Sequence, residues 1–245
     1  MSTAAPMPSS ARTDQVATKP TRRVVDAPTR MFHWMFALCF VGAYVTADGE
    51  RWRLLHVTLG YTLAGLFAFR VIYGLVGPRQ ARLSLLWRKL AGGPAWLQSM
   101  RSGTSGVNWR QGQNLLMALT VAALLVIVLP VTLSGYAIYN EWAGDWLEGL
   151  HEFFGEALLW VVLIHLAMIA GLSVLRRKNQ ALPMISGRVK GAGPDLVQRN
   201  QGWLALLVLV GVLSYWSWEW QQAPHGLLSG KAGSELRANG QHDDD

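Results

Sequence analysis

Residues 150–165 read Leu150-His151-Glu152-Phe153-Phe154-Gly155-Glu156-Ala157-Leu158-Leu159-Trp160-Val161-Val162-Leu163-Ile164-His165. The run is apolar enough to lie in a membrane, and a histidine stands near each end of it. At about 1.5 Å and 100° per residue, fourteen residues of helix cover roughly 21 Å and nearly four whole turns. The imidazoles of His151 and His165 therefore leave nearly the same helix face at two different depths. Working outward, His33 opens an earlier apolar segment and His56 opens the next. If successive segments cross in opposite directions, His33 comes level with His165, and His56 with His151. The sequence thus predicts two pairs of imidazoles at two levels of one bundle.

Composition supports the membrane setting. Of 245 residues, 51% are hydrophobic and 15% charged, which is apolar for a soluble domain of this length. The apolar residues gather into five blocks, at about 31–47, 54–76, 115–139, 153–175 and 203–220. Each is near the roughly 20 residues that cross a ~30 Å hydrocarbon core. The expected fold is an all-α integral membrane protein, a four-helix transmembrane bundle plus a fifth C-terminal transmembrane helix. That last block carries Tyr215, Trp216, Trp218 and Trp220 beside Glu219, which suits an interfacial belt. Between the second and third blocks, Leu83, Leu86 and Leu90 have the spacing of an interfacial amphipathic helix, broken at Gly92-Gly93-Pro94. Pro130 and the Ser134-Gly135 pair predict a kink in the third span.

Charge sets the expected orientation. The formal net charge is +7. Basic residues crowd the stretch before the first block, the loop 77–114 and the stretch after the fourth block. The loop 140–152 has no Lys or Arg and holds Glu141, Asp145, Glu148 and Glu152. By the positive-inside rule the N-terminus is cytoplasmic and the C-terminus outside. On this reading the positive charge is a topology signal, and nucleic acid is not an expected partner. Residues 1–25 read as a disordered cytoplasmic tail with no cleavable signal peptide, and 221–245 as a polar periplasmic tail. Residues 26–190 form the four-helix core, and 191–220 form a loop and the fifth span.

Imidazole is a common axial ligand of haem iron. A six-coordinate haem takes one from each side of its ring, so the ligands should come from different helices. The ring also needs room. Gly60 follows His56 by four residues and Gly155 follows His151 by four, each one turn along on the same face. Gly171, six residues beyond His165, is a weaker match, and Gly42, Gly65 and Gly135 add thin places. The alternative is that the histidines are hydrogen-bonding residues and the glycines permit close helix packing. Ionisable groups inside spans are, however, rare and usually functional.

Cys39 is the only cysteine, so neither an internal disulfide nor the C-x-x-C-H attachment of a c-type haem can form. Two haems here would be b-type and non-covalent. His33 and His165 would hold the inner iron, and His56 and His151 the outer iron. Haem propionates want cations. Arg30 lies three residues before His33, and Arg70 lies fourteen after His56, on its face but at the opposite depth. Snorkelling to headgroups is the alternative for Arg70. Arg51 and Arg53 could serve the outer haem. His225 and His242 lie in the tail and are not expected ligands.

At this point a family resemblance emerges. Asp26-Ala27-Pro28-Thr29-Arg30-Met31-Phe32-His33-Trp34 resembles the opening of the bacterial di-haem cytochrome b family. That family takes in cytochrome b561-type proteins and the b-type cytochrome subunits of nickel–iron hydrogenases. His56-Val57-Thr58-Leu59-Gly60-Tyr61 resembles its second-helix ligand motif. Arg70 and Tyr73-Gly74-Leu75-Val76-Gly77-Pro78-Arg79-Gln80-Ala81-Arg82 resemble its helix end and basic loop. Leu150-His151-Glu152 and Ile164-His165 are similar to its fourth helix. Arg177-Lys178-Asn179 with Met184-Ile185-Ser186-Gly187-Arg188 is similar to its closing segment. The likeness covers about residues 24–190. One departure stands out. Many members enter the third helix on Gly-His-Asn-Pro, where this chain reads Arg110-Gln111-Gly112-Gln113-Asn114. That helix supplies no ligand in this reading, so any quinone or partner contact made there is what the departure puts in doubt.

The resemblance implies an electron-transfer protein of the bacterial inner membrane. It would exchange electrons between the quinone pool and a periplasmic c-type cytochrome or a dehydrogenase or hydrogenase subunit. A homo-oligomer is compatible with it. An electron-transfer subunit is expected over a stand-alone oxidoreductase. Two rival readings are a superoxide-oxidising quinone reductase and a haem-free membrane anchor or transporter.

Overall fold

The computed structural model describes residues 20–102, 108–142 and 144–223. The expectations for residues 1–19 and 224–245, including His225 and His242, lie outside the described residues.

Eight helices occur among the described residues: α1 (Ala27–Val45), α2 (Arg53–Val76), α3 (Leu83–Ala91), α4 (Gly93–Arg101), α5 (Trp109–Tyr139), α6 (Trp146–Leu175), α7 (Leu182–Ser186) and α8 (Gly202–Gln222). Two short strands, β1 (Thr21–Arg23) and β2 (Arg188–Lys190), pair antiparallel with Arg22 opposite Val189. The all-α expectation therefore holds except for this ribbon. The end of the stretch expected as a disordered tail is ordered as β1. Three-residue strands are too short to carry an alternation readable in sequence.

The α1 start is set locally. Asp26 caps it by accepting from the Thr29 amide at 3.0 Å, and Pro28 occupies the first turn, where its missing N–H costs nothing. A tight turn and one 3-10 turn (Glu50–Trp52) reverse the chain into α2. Gly42 lets α1 and α2 close on each other, since a Cβ there would lie 2.7 Å from Leu59 Cδ1. The amphipathic segment after α2 breaks into α3 and α4 at Gly92, as the glycine–proline run predicts. Gly112 on α5 makes room for Trp96 of α4, whose ring would overlap any Cβ placed there.

Four stretches are long and apolar enough to cross a membrane: Glu50–Val76, Trp109–Tyr139, Trp146–Leu175 and Gly202–Gln222. The expected first span is not among them. α1 has 19 residues, and Arg30 and His33 in its first two turns dilute its apolar content. The third and fourth spans begin earlier than expected, at Trp109 and Trp146, because polar interfacial turns continue each helix beyond its apolar block.

α1 packs on α2, α2 on α5, and α5 along the length of α6; α8 lies along α1 and touches α2. One end of this bundle gathers the starts of α1, α5 and α8 with the ends of α2 and α6, and it carries most of the basic loops. The opposite end carries the acidic loop. α6 makes extensive backbone contact with α5 alone, and only 11% of its apolar window is buried. At mid-depth Cys39, Phe40, Ala43, Leu59, Leu63, Leu66, Val128 and Leu158 close into one aliphatic core.

α8 is fastened at both ends. At the basic end, Tyr73 Oη lies 2.7 Å from Asp26 Oδ2 and 2.5 Å from Gln201 Oε1. Nearer the acidic end, Trp216 Nε1 donates to Thr62 Oγ1 at 2.9 Å.

Candidate functional site

The structure brings one pair of span histidines face to face. At the acidic end, His56 of α2 and His151 of α6 face each other across the gap between those helices. Their ring centroids are 6.1 Å apart and their planes are 80° apart. His56 Nδ1 lies 2.8 Å from the Ala43 carbonyl, and His151 Nδ1 lies 3.0 Å from the Val131 carbonyl. A carbonyl can only accept, so both Nδ1 atoms carry the proton and both Nε2 atoms keep their lone pairs. That is the tautomer a metal-binding imidazole needs, with its orientation held by backbone. Ser134 Oγ, 3.1 Å from His151 Nδ1, adds a further contact.

At the basic end stand His33 of α1 and His165 of α6, the latter on the α6 face that also carries His151. Their Nδ1 atoms are buried with no hydrogen-bond partner. An unpaired buried polar group costs on the order of 1–3 kcal/mol, so such groups in native proteins call for an explanation. A metal bond or an added acceptor at these rings would offset that cost.

The space fits a flat ring. Gly60 and Gly155 are half-buried, yet a Cβ at either would meet nothing within 4 Å. A glycine packed for close helix approach would show the opposite, as Gly42 does. Two metal–imidazole bonds of about 2 Å, plus about 1 Å from each nitrogen to its ring centre, put trans imidazole centroids ~6 Å apart. The spacing of His56 and His151 agrees with that figure. Among the described residues no three His, Cys, Asp or Glu side chains converge on one point. The His56–His151 pair offers two imidazoles, which suits a metal that brings its other four ligands with it. Leu158 lies seven residues from each α6 histidine, on their shared face, and is 3% exposed inside the aliphatic core. It separates the two levels.

The arginines reach backbone carbonyls. Arg30 Nη1 donates to the Ile185 carbonyl at 3.1 Å, and its Nε contacts the Asp26 carbonyl at 3.4 Å. Arg70 Nη1 donates to the Ala81 carbonyl at 3.0 Å. Both tie the bundle to loops at the basic end. Arg51 stacks over Trp52, its guanidinium carbon 5.3 Å from the ring. Gly135, read in the sequence as a thin place in the bundle, lies against His151: a Cβ there would be 3.0 Å from His151 Cε1. Which histidine it adjoins has no signal in the spacing, because the two are on different helices.

With this geometry in place, comparison adds one finding. Residues 24–187 match the profile of the family described as prokaryotic cytochrome b561. No curated protein and no solved structure matches the chain.

Proposed function

Because the chain belongs to the prokaryotic cytochrome b561 family, we propose that it is a di-haem membrane cytochrome passing electrons between the quinone pool and a periplasmic redox protein. The coarser part follows from the family: a multi-pass membrane protein with b-type haem, working in electron transfer. The finer part rests above all on the His56–His151 pair, whose 6.1 Å separation suits one iron between two rings.

Haem would supply a one-electron carrier at each level. The chain does the rest. His33 and His165 would hold one haem, and His56 and His151 the other. With two imidazoles engaged at each, the haems would serve to relay electrons. The Ala43 and Val131 carbonyls hold the imidazoles in one tautomer. The aliphatic core excludes water between the levels.

In this reading α1 crosses the membrane despite its polar start, and α8 is the fifth span. The basic end is cytoplasmic and the acidic end periplasmic. Glu141, Asp145, Glu148 and Glu152 are all exposed there and offer a docking surface to a basic partner such as a c-type cytochrome. Quinone would exchange with one of the two haems. Exposed acids beside the outer pair argue against attraction of superoxide.

The test is spectroscopic. Chain purified from haem-replete cells should show reduced b-type bands and about two haems per chain by pyridine haemochrome. Both should be reducible by a quinol in stopped-flow mixing. A colourless preparation overturns the reading, and superoxide-dependent quinone reduction would replace the relay by an oxidase.

Gly135→Val supplies a local check. The His151 ring is held by the Val131 carbonyl and the Ser134 hydroxyl and has little freedom to retreat from a side chain. The variant should lose most of the outer haem while the spectrum of the inner one persists. Equal loss of both, or of neither, would contradict the assignment of His151 to one site.

A further inference from the structure

A cleft of about 580 Å³ opens at the basic end between the start of α5 and the end of α6. Its walls are Arg110, Gln113, Leu175, Arg176, Lys178 and Gln180. Three cations and two amides line it, and no carboxylate does. The charge is arranged as well as concentrated. Arg176 Nε and Nη2 donate to Gln113 Oε1 at 3.0 and 2.7 Å, and Nη2 also donates to Asn114 Oδ1 at 3.2 Å. Amide oxygens orient a guanidinium without cancelling its charge.

The backbone accepts strain to complete the cleft. Arg177 has φ 49°, a left-handed conformation usually left to glycine at a helix end. That reversal returns the Lys178 amide to the Ser173 carbonyl at 3.1 Å and the Gln180 amide to Ser173 Oγ at 3.0 Å. Lys178 and Gln180 are thereby folded back over the end of α6. Leu175 is both a wall of the cleft and an exposed apolar residue. Val174 on α6 and Leu116 and Leu119 on α5 are also exposed, an apolar track on the two helices that form the cleft. The cleft therefore sits where polar headgroups meet hydrocarbon.

We propose that this cleft binds the phosphate of an anionic phospholipid of the adjoining leaflet. Arg110, Arg176 and Lys178 are its charge partners, Gln113 positions Arg176, and the acyl chains lie along the apolar track. Guanidinium groups match phosphate oxygens in pairs, and basic pockets between membrane helices at the cytoplasmic side suit such headgroups. Positive-inside topology needs only a number of cations in a loop. It does not require three of them on one cleft, with one locked in orientation by neutral acceptors. Free phosphate shares the recognising chemistry but has no use for the apolar track.

The test uses the full haem-loaded chain in nanodiscs containing equal phosphatidylglycerol and phosphatidylcholine. Lipid retained after extraction is counted by native mass spectrometry. The wild-type chain should keep phosphatidylglycerol about tenfold over phosphatidylcholine, with 10-fold excess inorganic phosphate without effect. Arg176→Gln and Lys178→Gln should each weaken that preference by about fivefold, with helix content and haem spectrum unchanged. Gln113→Ala keeps every charge and should still lower the preference, by about threefold, which covers the case of an unfolded charge variant. Equal retention of the two lipids by the wild-type chain overturns the proposal. So does displacement by inorganic phosphate, which would assign the cleft to a soluble anion. Haem loss in a folded Arg176→Gln protein would assign it to the haem site instead.

Discussion

His165→Ala is expected to lower haem content from about two to about one per chain, and His151→Ala is expected to remove the other one. The two single-haem proteins should differ in midpoint potential and in the position of the reduced band. The reasoning is geometric. In the proposed arrangement each α6 histidine has its partner on a different helix: His56 on α2 faces His151, and His33 on α1 is assigned to His165. Loss of one of the two imidazoles that would hold a haem should leave that haem weakly bound. Between the levels, Leu158 is clamped among Cys39, Phe40, Leu63, Leu66 and Val128, so damage at one level has a packed layer to cross before it reaches the other. Redox titration of both variants beside the wild type is the measurement. If either substitution emptied both sites, or if both removed the same spectral component, the pairing would be wrong.

The second large effect is on stability. Asp26→Ala should lower the unfolding free energy by about 3 kcal/mol, measured by thermal or denaturant unfolding in mild detergent. Asp26 is only 2% exposed and has two tasks. Oδ1 caps α1 at the Thr29 amide, worth about 1 kcal/mol, and Oδ2 accepts from Tyr73, a charge-assisted bond worth roughly 1.5–3 kcal/mol when buried. Tyr73→Phe keeps the cap and should cost about half as much. The double variant should be less destabilised than the sum, because both changes break the same bond. Since Tyr73 also meets Gln201, limited proteolysis should cut ahead of α8 faster in both proteins. Equal cleavage rates would show that α8 is held by other contacts.

Long-range pattern was legible in this sequence where it depended on spacing. The fourteen-residue step from His151 to His165 and the glycines four residues after His56 and His151 are properties of a helix, and helix periodicity is local. The structure places all of them as that periodicity requires. Arg30 and Arg70 show the limit. Their depths are readable, but their acceptors are carbonyls of Ile185 and Ala81, brought close by loops whose path no local rule gives. The Asp26–Tyr73–Gln201 latch joins residues 47 and 128 positions apart and leaves no periodic trace. α1 is a different case: the sequence reading expects a span there, but Arg30 and His33 keep it out of the stretches apolar enough to cross a membrane. Gln113 and Asn114 read in the sequence only as a departure from the family pattern, and their partner Arg176 is 63 and 62 positions away.

The layer around Leu158 has an electrical consequence. Among the described residues its buried side chains are hydrocarbon and one thiol, with no hydroxyl or carboxylate to carry a proton. In the proposed relay, an electron that tunnels across it travels unaccompanied, so each transfer displaces net charge along the membrane normal. A full crossing is worth about 2.3 kcal/mol per 100 mV. The rate between the two levels should therefore depend on membrane voltage, slowing in the direction that builds the potential and quickening in the direction that discharges it.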